Sequence, residues 1–206
     1  MRSQMIVGLT GQSGAGKTTV SGIIRYHGVP VIDCDYLSRV VTQKGTPCLK
    51  EIQETFGSEF LNADDTLNRK KLGRLVFKDR DQLELLNTII YPYILREIKE
   101  RAIREFKKGF EMVVLDAPTL FESGADKMCN RIISVTASEE ERIQRIISRD
   151  SITREQALLR LDAQQTDAFY AERSDYIIHN DGDVCALKAQ TLDILNKIET
   201  MVAIGE

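Results

Sequence analysis

Gly11-Gln12-Ser13-Gly14-Ala15-Gly16-Lys17-Thr18 satisfies G-x-x-x-x-G-K-[ST] in full, between the apolar run Met5–Leu9 and a helical pattern. In a strand–loop–helix setting, the backbone N–H groups of such a turn converge on phosphate oxygens. The helix that follows adds the positive end of its dipole. Lys17 reaches the β- and γ-phosphates, and the Thr18 hydroxyl can ligate Mg²⁺. Thr19 joins Gly11–Thr18 in the nucleotide-binding segment. This stretch implies a chain that binds a nucleoside triphosphate.

Phosphoryl transfer to an alcohol needs a carboxylate that orients the acceptor hydroxyl and takes its proton. Asp33 and Asp35 follow a short apolar run as Ile32-Asp33-Cys34-Asp35. If the backbone stays extended, their spacing of two puts both carboxylates on one face. Asp33 reads as the acceptor-side base. Asp35 fits equally an acceptor contact or an N-cap for a helix beginning near Tyr36. Asp116 ends the run Met112–Leu115 and suits the metal side, acting through water rather than by direct ligation; the alternative is hydrogen bonding within the phosphate loop. Arg142, Arg145 and Arg149 lie three and four apart on a helical pattern and share one face. Guanidinium forks stabilise the charge that a transferring phosphoryl group concentrates. Arg145 and Arg149 read as that clamp, and Arg142 as a solvated surface residue.

Short β-branched runs alternate with helical patterns, which predicts parallel strands joined by right-handed helical crossovers, hence an α/β sandwich around a central sheet. The expected strands are Met5–Leu9, Val29–Ile32, Met112–Leu115, Arg131–Thr136 and Tyr176–Ile178. The first helix is expected over Lys17–His27, closed by Gly28, and the last over Val184–Met201. Ser138-x-x-Glu141 and Thr153-x-x-Gln156 read as capping boxes. Residues 36–108 carry almost no strand signal and are expected to break into helical pieces near Gly45, Pro47, Gly57, the Asn62–Asp65 turn and Pro92. Ligands bind at the carboxyl ends of strands in such sheets, which selects residues 10–18, 33–35, 116–122 and those from 137 onward.

Composition narrows the partners. Lys and Arg total 28 against 31 Asp and Glu, a net charge of −3, so no general nucleic-acid surface is expected. Met1-Arg2-Ser3-Gln4 passes at once into a strand pattern rather than a signal-peptide core, and no apolar stretch is long enough for a membrane span. Cys34, Cys48, Cys129 and Cys185 are scattered, and there are only two histidines; reduced, mostly buried thiols in a cytoplasmic protein are expected. Asn196-Lys197-Ile198-Glu199 imitates a guanine-reading motif but sits inside the terminal helical pattern, and Asp116-Ala117-Pro118-Thr119 lacks the glycine of a D-x-x-G switch.

An ordered series of residues along the chain resembles the dephospho-CoA kinases. It runs from Gly8–Thr18 through Asp33-Cys34-Asp35 with Arg39, Phe56-Gly57, Asn68–Gly73 and Val76-Phe77. It continues through Asp116–Gly124, Arg145 with Arg149-Asp150, Gln164, and Asp175 to Gly182. The resemblance implies a three-layer P-loop kinase with a central parallel sheet. Its core would take residues 1–35, 109–144 and 171–206, with a helical acceptor-binding insertion over about 36–108 and a lid near 145–170. It implies ATP and dephospho-CoA as substrates, Mg²⁺ as cofactor, and transfer of the γ-phosphoryl group to the ribose 3′-hydroxyl. Asp33 would be the base, with Asp35 and Arg39 on the acceptor side. Lys17, Arg145 and Asp116 would be catalytic, and Asn180 and Gly182 part of the adenine pocket. A monomer or weak homo-oligomer is expected. Gln12 stands where the family commonly has glycine, Tyr91 replaces a usual histidine, Arg142 a usual glutamine and Ser174 a usual alanine. The alternatives are another small-molecule kinase of this fold, acting on a nucleoside, nucleotide or shikimate, or a nucleotide-dependent switch.

Overall fold

A computed structural model describes residues 4–205; the expectation for Met1–Ser3 lies outside them. The chain divides into two compact units. One joins the stretch up to Ile32 to the stretch from Ala102 onward, and the other is Asp33–Arg101.

The first unit is built on a five-stranded sheet of β1 (Met5–Gly11), β2 (Val31–Asp33), β3 (Met112–Asp116), β4 (Arg131–Thr136) and β5 (Tyr176–His179), in the order β2-β3-β1-β4-β5. The β1–β3, β1–β4 and β4–β5 pairings are parallel. Every residue of β3 is buried, as expected of an inner strand covered on both faces. On one face Met5, Val7 and Leu9 of β1 form a core with Val20 and Ile24 of α1 (Lys17–Tyr26) and with Leu187, Leu195 and Ile198 of α9 (Val184–Ile204). On the other face Gly8 lies so close to Leu120 that a Cβ there would stand 2.7 Å from its side chain.

The strand at the first crossover is displaced from expectation. Val29 and Pro30 precede β2 instead of opening it, although the Pro30 carbonyl still accepts the Val114 N–H at 2.9 Å. Helix α1 ends one residue early, with His27 as C-cap and Gly28 just beyond at φ +90°. Three further helices complete the chain between β4 and β5: α6 (Glu139–Asp150), α7 (Arg154–Asp162) and α8 (Asp167–Arg173). Ile143 and Ile146 of α6 pack with Ala157 and Leu161 of α7 as a small separate core.

The second unit is helical, with α2 (Cys34–Val41), α3 (Pro47–Phe56), α4 (Arg69–Val76) and most of α5 (Arg80–Lys107). Pro47 sits in the first turn of α3 behind the Thr46 N-cap, where its missing N–H costs nothing. Pro92 does not break the chain as expected. It lies inside the 28-residue α5, whose buried stripe Ile94, Ile98 and Ala102 repeats every four residues on one face. Burial of that stripe offsets the roughly 3 kcal/mol that an interior proline costs.

The four cysteines are free. Cys34 and Cys48 are buried, Cys129 is half-buried, and Cys185 is exposed, so burial holds for part of the set only. Burial pushes the Cys129 thiol up to about 12. Among the described residues no helix is long and apolar enough to cross a membrane.

Candidate active site

Strand β1 delivers the chain into the loop, and α1 leaves it. Gly14 and Gly16 have φ of +80° and +98°, in the left-handed region where a side chain is strained. Space forbids one as well: a Cβ on Gly14 would stand 2.6 Å from the Arg142 carbonyl oxygen, and one on Gly16 would overlap the Asn180 amide. Lys17 is the first residue of α1, and its ammonium pairs with Asp116 Oδ1 at the end of β3. Both side chains are largely buried. The parallel register sets Leu9 beside Asp116, which is how a residue 99 positions away comes to face the loop lysine. Thr18 and Thr19 are exposed in the first turn of α1.

The arginine face expected of α6 is real, and it is turned to the loop. Arg145 donates to the Gly14 carbonyl at 3.3 Å, to the Asn180 carbonyl at 2.9 Å and to Glu141 at 3.1 Å. Arg149 reaches the Ser13 hydroxyl at 3.4 Å while holding both oxygens of Asp150 at 2.8 Å. Asp150 also pairs with Arg160, and these guanidinium bonds hold its carboxyl down at about 2.

Arg142 is not the surface residue its type suggested. It is 5% exposed, and its Nε donates to the Ser13 carbonyl at 3.3 Å. It shares the face of Arg145 and Arg149 and stands a turn nearer the helix start, where the loop and the α7–α8 connection cover it. Burial lowers its pKa, with Asp167 acting in the opposite direction.

The helix carrying these arginines does not open with a capping box. Ser138 is the N-cap but makes no side-chain cap bond. Its backbone N–H, which Glu141 would satisfy in a box, instead donates to Asp181 Oδ1 at 2.6 Å, while Glu141 pairs with Arg145. The Thr153–Gln156 box does form.

Asn180 follows β5. Its side-chain amide donates to the Ala15 carbonyl at 2.8 Å, and its backbone N–H to Thr136 at 2.8 Å, so this buried residue fastens the loop to the sheet. Gly182 lies in the exposed turn that follows it.

In the second unit the backbone does not stay extended across residues 33–35. Asp33 ends β2 and at once N-caps α2, its Oδ1 accepting the Tyr36 N–H at 2.9 Å. Asp35 is already inside the first turn, so the cap belongs to Asp33 rather than to Asp35. Both are exposed, as is Arg39 in the last turn. The Arg39 and Ser38 carbonyls accept Arg69 Nη2 at 3.4 and 3.5 Å, and Arg69 also bonds Thr42. Burial and the nearby Arg39 charge lower the Arg69 pKa.

Sequence reasoning passed over three of these positions as individual contacts: Arg69, the buried Arg142, and Gln164, whose Oε1 accepts the Ser13 N–H at 3.0 Å. The i, i+3 spacing to Arg145 was the available signal for Arg142. For Gln164 and Arg69 the signal was their place in the series shared with the family, which names the positions without their contacts.

The donor set fits Mg²⁺ in kind, since a hydroxyl at Thr18 and a carboxylate at Asp116 are hard oxygen ligands. Among the described residues no group of three or more His, Cys, Asp or Glu could cage a metal. Phosphate oxygens and waters would complete the coordination, as that ion prefers.

Known proteins resemble this chain in sequence and in fold. The dephospho-CoA kinase family model matches residues 5–186. The dephospho-CoA kinase of Listeria monocytogenes serotype 4b is 38% identical over 93% of this chain and 96% of its own. The crystal structure of TT1252 from Thermus thermophilus superposes with a TM-score of 0.80 at 29% identity, covering 95% of this chain and 97% of that one. Dephospho-CoA kinase from Campylobacter jejuni shares the fold, with a TM-score of 0.70 at 24% identity over 94% and 96% of the two chains. On its sequence, the chain belongs to the dephospho-CoA kinase family.

Proposed function

We propose that this chain works the reaction of its family, ATP-dependent phosphorylation of the ribose 3′-hydroxyl of dephospho-CoA to coenzyme A and ADP, with Asp33 as base and Lys17 and Arg145 as the charge clamp. One observation carries it: an intact phosphate loop between β1 and α1, in a chain matched to that family over residues 5–186.

The triphosphate lies in the loop from Gly11 to Thr19, with Arg149 also on the donor side and Asn180 and Gly182 toward the adenine. Its charge draws the Lys17 ammonium from Asp116 to the β- and γ-phosphates. Thr18, and Asp116 through water, would hold Mg²⁺, which would supply neutralisation of phosphate charge. Asp33 uses one oxygen to accept the Tyr36 N–H, and that bond fixes its carboxylate. The second oxygen takes the proton of the 3′-hydroxyl as that oxygen forms its bond to the γ-phosphorus. The bond from the γ-phosphorus to the bridging oxygen breaks, and the electron pair leaves with ADP. Arg145, already within reach of the loop at Gly14, meets the charge that develops on the transferring group. Asp35 and Arg39 contribute on the acceptor side.

By the same reading, residues 36–108 bind the acceptor, residues 145–170 act as a lid that excludes water, and the chain works in the cytoplasm as a monomer or weak homo-oligomer. A coupled assay offering dephospho-CoA, AMP, UMP and shikimate tests the reading. The expected result is the highest kcat/KM with dephospho-CoA. A higher value with any of the other three, or ATP turnover indifferent to dephospho-CoA, overturns it.

A further inference from the structure

Ser13 is held at both ends of its backbone by side chains remote in sequence. Its N–H donates to Gln164 Oε1 at 3.0 Å, and its carbonyl accepts Arg142 Nε at 3.3 Å. Arg142 Nη2 closes the ring by donating to the same Gln164 oxygen at 3.5 Å. One residue earlier, Gln12 Nε2 donates to the Gln165 carbonyl at 2.7 Å. The connection between α7 and α8 therefore grips the entrance of the phosphate loop at two consecutive residues.

Three features mark this as more than incidental contact. Gln12 and Arg142 are polar yet only 6% and 5% exposed. Gln12 Oε1 is buried without a hydrogen-bond partner, a penalty accepted in a geometry that keeps the other end of the amide on Gln165. Gly11, Gly14 and Gly16 all have positive φ, so the loop depends on partners outside it, and Gln164 and Arg142 hold Ser13 ahead of the Arg145 and Asn180 contacts at Gly14 and Ala15.

We infer that Gln164, with Arg142, is a positioning residue that holds the phosphate loop in its nucleotide-receiving shape before ATP arrives. This rests on the reading of the loop as the ATP site. A loop ordered in advance loses less conformational freedom when the triphosphate binds, so the effect falls on nucleotide affinity rather than on the chemical step. Gln164 acts through the acceptor capacity of Oε1. A side chain of the same reach that still offers an oxygen therefore preserves the function, and one that does not loses it.

The experiment compares Gln164→Met with Gln164→Glu in the full chain, measuring the Kd for ATP without acceptor by calorimetry and the steady-state constants for both substrates. Gln164→Met leaves the Ser13 N–H without its acceptor, and the Kd and KM for ATP are expected to rise about tenfold. Its kcat at saturating ATP should stay within about twofold, with the KM for dephospho-CoA unchanged. Gln164→Glu is expected to recover most of the ATP affinity, since its carboxylate accepts from both Ser13 and Arg142.

An unchanged ATP Kd in Gln164→Met overturns the inference, as does a Glu variant no tighter than the Met variant. If Gln164→Met fails to fold, Gln164→Ala decides: it also removes the Ser13 acceptor, and a Kd for ATP that does not rise sinks the idea. Lys17→Ala separates the two levels. Loss of transfer there with an unaffected Gln164→Met leaves the ATP site standing without its support, whereas transfer surviving Lys17→Ala removes the reading itself.

Discussion

Helix α1 follows β1 through the glycine-rich loop and α2 follows β2 directly, and their first turns are prepared in opposite ways. Before α1 stands Gly16, in left-handed backbone and without a side chain to cap the helix. Before α2 stands Asp33, whose own carboxylate caps the Tyr36 N–H. The first start carries no anion of its own and presents its helix dipole and Lys17, which the proposed reaction turns to the ATP phosphates. The second already holds an anion, fixed at one oxygen by the backbone. In the proposed reaction, the phosphate donor site and the proton-accepting carboxylate are two uses of the passage from a strand into a helix.

The sharpest way to break this contrast is at α1. Lys17→Ala removes the ammonium at its first residue, and phosphoryl transfer is expected to disappear in steady-state assays; substantial residual kcat would mean that the loop works without it. At α2 the expected effect is smaller and of a different kind. Asp33→Asn retains an oxygen for the Tyr36 N–H, so the helix start survives while proton acceptance is lost. Its kcat should fall on the order of 10²–10⁴-fold with the Kd for ATP nearly unchanged. A loss confined to ATP binding would assign Asp33 to the donor side instead.

Two other helix starts test the cap energetics at the smallest scale. Thr153→Ala deletes a formed capping box and should cost about 1 kcal/mol in chemical denaturation. Ser138→Ala deletes a side chain that makes no cap bond and should stay within about 0.5 kcal/mol. Equal losses would show that the Ser138 hydroxyl stabilises its helix by some route other than capping.

Those two serine and threonine positions also show where sequence reasoning stops. Ser138-x-x-Glu141 and Thr153-x-x-Gln156 are equivalent as strings. The first is dismantled because Asp181, 43 residues away, takes the Ser138 N–H, and Arg145 takes Glu141. Pro92 teaches the same from the other side, since a local helix breaker yields to a buried stripe that extends beyond it. The alternation expected of Asp33 and Asp35 failed for a local reason. The helix begins one residue after the strand, and capping by Asp33 favours that early start.

By itself the sequence determined the phosphate loop, the alternation of strands and helices, and the shared face of Arg142, Arg145 and Arg149. These depend on the φ of glycine, on side-chain periodicity and on the dipole of the adjacent helix, all of which act within a few residues. Only the tertiary structure decided that Lys17 faces Asp116, that Asn180 fastens Ala15, and that Gln164 holds Ser13, across 99, 165 and 151 residues. Such partners are chosen by the order of strands in the sheet and the return path of the helices, so no short window of the chain contains them.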